Sequence, residues 1–152
     1  MKTVCISAFI LLTTLMAKGQ NANPEYDSTL AAQLGADERG MKMYVLVILK
    51  TGPNDVQDKA LRDSLFAGHF SNMNRMAKEN KLVVAGPLGT NDRQYRGIFI
   101  LNVKTTEEAE LLLQTDPTVR EGIFATEIYP WYGSAALPMY MGYDKKLTKE
   151  KR

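Results

Sequence analysis

Cysteine, histidine and tryptophan each occur once in the 152 residues. A single thiol, Cys5, can close no internal disulfide, and one cysteine with one histidine falls short of a protein-only transition-metal site. Also missing are a glycine-rich dinucleotide loop, a Walker loop, an HExxH pair and a nucleophile-elbow motif. No cofactor and no metal is therefore expected. Charge of either sign is not in excess: 19 lysines and arginines face 17 aspartates and glutamates. Nucleic-acid binding rests on clustered positive charge, so nucleic acid is not an expected partner.

Long hydrophobic runs are nearly absent too, and the exception is at the start. Lys2 precedes an apolar run over residues 4–16, and Ala17-Lys18-Gly19 offers small residues before a cut ahead of Gln20. That is the pattern of a secretory signal peptide, residues 1–19. The run is too short to cross a bilayer, which takes about twenty residues. Cys5 lies ahead of the main apolar stretch, the wrong place for a lipid-modified N-terminus. The expectation is an exported protein, periplasmic or extracellular, with no stable membrane insertion after cleavage. Cleavage takes away Lys2, Lys18 and Cys5, leaving 17 basic and 17 acidic side chains and no cysteine. Such a chain must be stabilised by its core, by oligomerisation, or by both.

What remains is enough for one α+β domain. Residues 20–42 read as an N-terminal spacer, with a short helix over 29–34 that Gly35 stops. The domain runs over 43–138, and 139–152 is a basic tail expected to be solvated. Residues 43–49 (MYVLVIL) form a continuous β-branched run, a strand buried on both faces. A helix is expected over 56–79, with Asn54 and Gln57 as its capping box and Asn80 as its left-handed stop. Its inward face should carry Leu61, Leu65, Phe66, Phe70, Met73, Met76 and Ala77. Strands are expected over 82–85 and 97–103. A second helix over 107–115 is capped by Thr105 and ends at Asp116, because the residue before Pro117 is pushed out of the helical region. A last strand covers 123–129. The order βαββαβ predicts a ferredoxin-like, four-stranded antiparallel sheet with both helices on one face.

Two helices cover only one face of such a sheet, while the 43–49 run is apolar at every position. The other face needs a cover, and a homodimer formed through it is the economical one.

His69, the only histidine, lies mid-helix on the core side, and histidine is the side chain whose ordinary pKa suits proton transfer near neutrality. Two readings stand: a core histidine, or a general base. Gly68 beside it costs about 1 kcal/mol in a helix interior relative to Ala, and it would let another segment come close. Asp116 is either a turn aspartate or the carboxylate that orients His69. Gly86-Pro87 closes a strand and leads into a polar loop, either a plain hairpin or a pocket wall. Trp131 and Tyr132 belong to an aromatic segment, 129–133, that reads as a lid over the core or a wall of a ligand site. Lys50, at the end of the first strand, is either solvated or placed to meet an anionic ligand.

Several of these residues recur together in one known family. The His69 helix, Lys81-Leu82-Val83-Val84-Ala85-Gly86-Pro87-Leu88, Gly97 opening a strand, Thr105-Thr106-Glu107-Glu108-Ala109, Asp116-Pro117 and Pro130-Trp131 resemble the YCII-related (YciI-like) family. The resemblance covers residues 43–137, and the ending Trp131-Tyr132-Gly133-Ser134-Ala135-Ala136-Leu137 is similar to one of its subgroups. It implies a dimeric α+β barrel with a small pocket near a histidine–aspartate pair, carried here by His69 and Asp116. It also implies a small organic ligand, in an isomerase- or lyase-like step or in a non-catalytic binding module. Export sets this chain apart from a cytoplasmic catabolic role.

Overall fold

The apolar run at 43–49 forms the middle of β1 (Met41–Thr51), one of the two inner strands of a four-stranded sheet of order β2-β3-β1-β4. Its partners β3 (Tyr95–Leu101) and β4 (Phe124–Ser134) both run antiparallel to it, and β2 (Leu82–Pro87) closes the far edge antiparallel to β3. This is the ferredoxin-like arrangement expected from the element order. The computed structural model describes residues 23–147 and 149; the expected signal peptide, residues 20–22 of the spacer, and residues 148 and 150–152 of the basic tail lie outside the described residues. Among the described residues no helix is long and apolar enough to cross a membrane.

The spacer is partly built. α1 (Ser28–Leu34) is capped by Asp27, whose carboxylate accepts from the backbone N–H groups of Thr29 and Leu30, and it stops at Gly35 in the left-handed region. β1 opens two residues before the expected run. Asp37 ties that opening down by accepting from the N–H of Met41 and from the Tyr132 hydroxyl.

α2 (Lys59–Lys78) starts later than expected, because Asp58 caps it through the N–H groups of Ala60 and Leu61. Asn54 is not its cap. The Asn54 amide donates to the carbonyl of Glu121 at 2.8 Å, and so ties the β1–α2 loop to the turn before β4. Asn80 stops the helix with a positive φ of 55°, as expected. The buried side is narrower than the apolar pattern suggests: His69, Asn72 and Met76 are buried, whereas Leu61 and Phe70 face outward. Polar side chains hold the centre of this face, and both have partners across the helix–helix contact.

α3 (Thr106–Leu113) is capped by Thr105, whose hydroxyl accepts from the N–H of Glu108 at 3.2 Å. The chain does not pass straight from Asp116 to the last strand. Asp116 caps a further turn, α4 (Pro117–Arg120), with Pro117 in the first helical position, where its missing N–H costs nothing.

Cross-strand partners share a face, which sorts the sheet into two sides. Val45, Val47, Leu49, Phe99, Leu101 and Phe124 face the helices and join Met76, Ala109 and Leu113 in the main core. The opposite side carries Tyr44, Leu46, Val84, Ile100 and Trp131. β4 continues to Ser134, so Trp131 and Tyr132 are strand residues and not a lid. The residues just after it return to the sheet, whereas the described tail residues from Gly142 on are exposed, as expected of a solvated end. A 3-10 turn (Leu137–Tyr140) and α5 (Met141–Leu147) lay Leu137 and Met141 against Tyr44, Val83 and Ile100, and the Tyr140 hydroxyl donates to the carbonyl of Val83. The protein thus covers part of its own second sheet face. Cutting the chain after Ala136 should lower stability by about 2–4 kcal/mol, the range for losing large buried side chains, and should raise binding of an apolar dye. Urea unfolding of the shortened chain tests this, and an unchanged midpoint would mean that the segment is not a structural cover.

Candidate functional site

His69 sits in the middle of α2, and the residue before it decides what lies opposite. A Cβ at Gly68 would stand 2.6 Å from Cγ of Pro117. Only glycine leaves room for α4 to close onto α2, and this closure delivers Asp116 to the histidine. His69 Nδ1 and Asp116 Oδ2 are 2.6 Å apart, and both residues are buried, Asp116 completely. The other carboxylate oxygen, Oδ1, accepts from the N–H of Thr118 at 2.9 Å and from its hydroxyl at 2.7 Å. That hydroxyl oxygen also lies 3.3 Å from Nδ1.

These contacts settle the proton inventory. Burial is the largest single influence on Asp116 and works to raise its pKa. The hydrogen bonds from His69 and Thr118, with the charge of the imidazole, outweigh it and hold the carboxyl below its ordinary value. A carboxylate only accepts, so the hydrogen in the 2.6 Å contact belongs to Nδ1. In the neutral imidazole the lone pair is then on Nε2. Among the described residues the one sealed side-chain nitrogen or oxygen without a partner is Asn72 Nδ2. Nε2 of His69, which has no protein partner, therefore keeps contact with solvent. Its surroundings are aromatic: Phe99 stacks at 6.0 Å between centroids, and Phe66, Phe70 and Phe124 present edges at 5.4–6.3 Å. An oriented base in an apolar, aromatic setting suits the removal of a proton from a small planar organic molecule.

The remaining candidate residues do not gather here. Pro87 lies on the helix side of β2, like Ala85, and both are exposed beyond the cover of α2; Ala85 pairs with Phe99, on which His69 stacks. Gly86 points to the other face, within the β2–β3 pairing. Trp131 packs tilted against Tyr44, with 5.7 Å between ring centroids, on that same opposite face, and the Tyr132 hydroxyl donates to Asp37. Lys50 is engaged too. Its ammonium donates to Glu127 at 2.8 Å, while the Tyr95 and Tyr129 hydroxyls donate to the second oxygen of Glu127, each at 3.1 Å. The Lys50 hydrogen bond is the main reason the Glu127 carboxyl is held low, and the same contact raises the lysine. Among the described residues no three metal-ligating side chains cluster.

Thr118 and Asn72 escaped the sequence reading. For Thr118 there was a signal: Asp-Pro-Thr places an N-cap, a first-turn proline and a hydroxyl in a row. Asn72 gave none, since an asparagine on a helix reads as surface.

Comparison with known proteins adds the family. The model of the YCII-related domain matches residues 43–132. No curated protein matches. Among solved structures, one that matches is a 5-chloro-2-hydroxyhydroquinone dehydrochlorinase from Burkholderia phenoliruptrix in complex with 2,5-dihydroxybenzoquinone. It is 22% identical, with a TM-score of 0.41, over 57% of this chain and 92% of that one.

Proposed function

The chain belongs to the YCII-related family, and from that premise we propose that His69 and Asp116 form a proton-transfer dyad acting on a small organic molecule, in an isomerase- or lyase-type step. One observation carries the reading: Nδ1 is committed to a fully buried carboxylate 2.6 Å away, which leaves Nε2 as the free base. Asp116 orients the ring and stabilises the imidazolium that forms when Nε2 takes a proton. The four phenylalanines favour a flat, largely apolar substrate in which that proton lies beside a carbonyl. A positioned base of this kind typically supplies about 10²–10⁴-fold. We further propose that the protein is exported and that a second copy covers the part of the sheet face around Leu46 and Ile48 left open by the C-terminal segment. The supports are the N-terminal sequence pattern and the apolar character of that face.

The test is deuterium exchange beside the carbonyl in a panel of small aromatic and cyclic ketones and keto acids, followed by proton NMR in deuterated water. The protein starting at Gln20 should accelerate exchange of at least one member, and His69→Ala should remove that acceleration while the fold persists. Equal exchange with both proteins defeats the reading. The competing account is a non-catalytic binding or structural module, which draws on the enclosure of His69 by aromatic rings. There, His69→Ala lowers stability by about 1–3 kcal/mol through the lost buried hydrogen bond and changes no chemistry.

A further inference from the structure

Asn72 lies one turn after His69 on the same side of α2 and is buried. Its Oδ1 accepts from Arg75 Nη2 at 2.7 Å and lies 2.9 Å from Thr115 Oγ1, whose one hydroxyl proton has a nearer acceptor in the Leu112 carbonyl at 2.5 Å. Arg75 also bonds Thr115 Oγ1 at 2.9 Å and pairs with Glu79. An arginine only donates, so the amide atom facing it must be oxygen. That fixes Nδ2 on the other side, where it is sealed and has no partner. A buried amide with half its hydrogen-bonding capacity unmet is a poor way to stabilise a helix contact, since an apolar side chain of the same shape carries no such penalty. What the amide does supply is position, because Thr115 immediately precedes Asp116.

We propose that Asn72, held by Arg75, is a positioning residue for the dyad: it latches the segment at Thr115 to α2 and so sets where Asp116 meets His69. This rests on the dyad proposed above and deepens it. Two rungs join the same two segments, His69 to Asp116 and Thr118, and Asn72 to Thr115. The first is where a proton is handled, and the second, bridged by Arg75 Nη2 between Asn72 Oδ1 and Thr115 Oγ1, fixes the backbone that carries the carboxylate. The sheet presents the rings of Phe99 and Phe124 to His69, and the charged groups bonded along the two rungs are Asp116 and, on the latch, Arg75 and Glu79.

The readout is the Nδ1–H proton of His69 in the protein from Gln20 onward: its tautomer balance from ring nitrogen shifts, and its solvent exchange relative to the core amide of Val47. Asn72→Leu removes the acceptor and keeps the volume; Thr115→Val is the milder variant should Asn72→Leu fail to fold. Either should speed Nδ1–H exchange relative to Val47 by about tenfold, within the usual range of coupling between sites, and move the tautomer balance in the direction produced by Asp116→Asn. Combined with Asp116→Asn, neither should add a further change. A lower melting temperature with both His69 signals unmoved would make the latch merely structural and overturn the proposal. So would an equal change in the Asp116→Asn background. If Asp116→Asn itself leaves the His69 signals unchanged, the dyad fails first and the latch with it, a result distinct from the other two.

Discussion

Gly68→Ala should destabilise this protein by about 1–3 kcal/mol, the cost of forcing extra volume into a packed contact. In an ordinary helix interior the same change is stabilising by about 1 kcal/mol, because alanine has the higher helix propensity. The sign reverses here because the new methyl would stand 2.6 Å from the Pro117 ring, and that ring is too rigid to move aside. α2 and α4 must separate, and the first contact between them to lengthen is the 2.6 Å bond from His69 to Asp116. The expected result is a lower urea midpoint together with a loss of the Nδ1–H tautomer preference of His69. A Gly68→Ala protein as stable as the parent, with His69 unchanged, would show that α4 yields freely and that the close approach constrains nothing.

Asp116→Ala should cost more, about 3–5 kcal/mol, the range for removing one member of a buried charged pair. The loss has several parts. Nδ1 of His69 is left in the interior with no carboxylate, and the Thr118 N–H and hydroxyl lose their acceptor. α4 also loses its N-cap, a change that by itself costs about 1 kcal/mol. Asp116→Asn keeps an oxygen for Thr118 and should fall between the two. The pH dependence separates charge from shape. A carboxyl held below its ordinary value in the folded protein contributes stability above its unfolded pKa of about 3.9 and loses it as the pH drops through the folded value. The parent should therefore lose stability on acidification below about pH 4 more steeply than Asp116→Asn. Urea unfolding at pH 7 and at pH 3 measures this, and parallel losses in the two proteins would rule out a charged Asp116 as a source of stability.

The same residues separate what was legible in the amino-acid sequence from what was not. Periodicity was enough for the element order, since the 43–49 run, the 3.6-residue pattern after it and the Asp-Pro break are local signals. Family membership was legible for the same reason: it rests on short motifs in a fixed order. His69, Gly68 and Asp116 could each be singled out, and a glycine beside the histidine already suggested a close neighbour. What could not be read was the identity of that neighbour. Pro117 and Asp116 are separated from Gly68 and His69 by almost fifty residues of chain, and their meeting depends on how α2 and α3 lie across one sheet. The four-residue α4 is shorter than any periodic signal, so the Asp-Pro-Thr run marked a cap but not the histidine at which it aims Asp116.

Face assignment divided the other candidates in the same way. Lys50, Trp131 and Gly86 were picked for chemistry, but strand register puts them on the side of the sheet away from His69. Lys50 there belongs to Glu127. The tail from residue 139 read as charged and solvated from composition; its start is held to the sheet by Tyr140 and Met141, while the described residues from Gly142 on are exposed. The sequence by itself determined the order of strands and helices, the family, and the one histidine available for proton chemistry, because each of these is written in neighbouring residues. Only the tertiary structure decided that this histidine has a fully buried carboxylate and that Asn72 holds the segment bearing it. Those are contacts between distant parts of the chain, fixed by how closely two helices can approach, and at Gly68 that distance is set by the absence of a single methyl group.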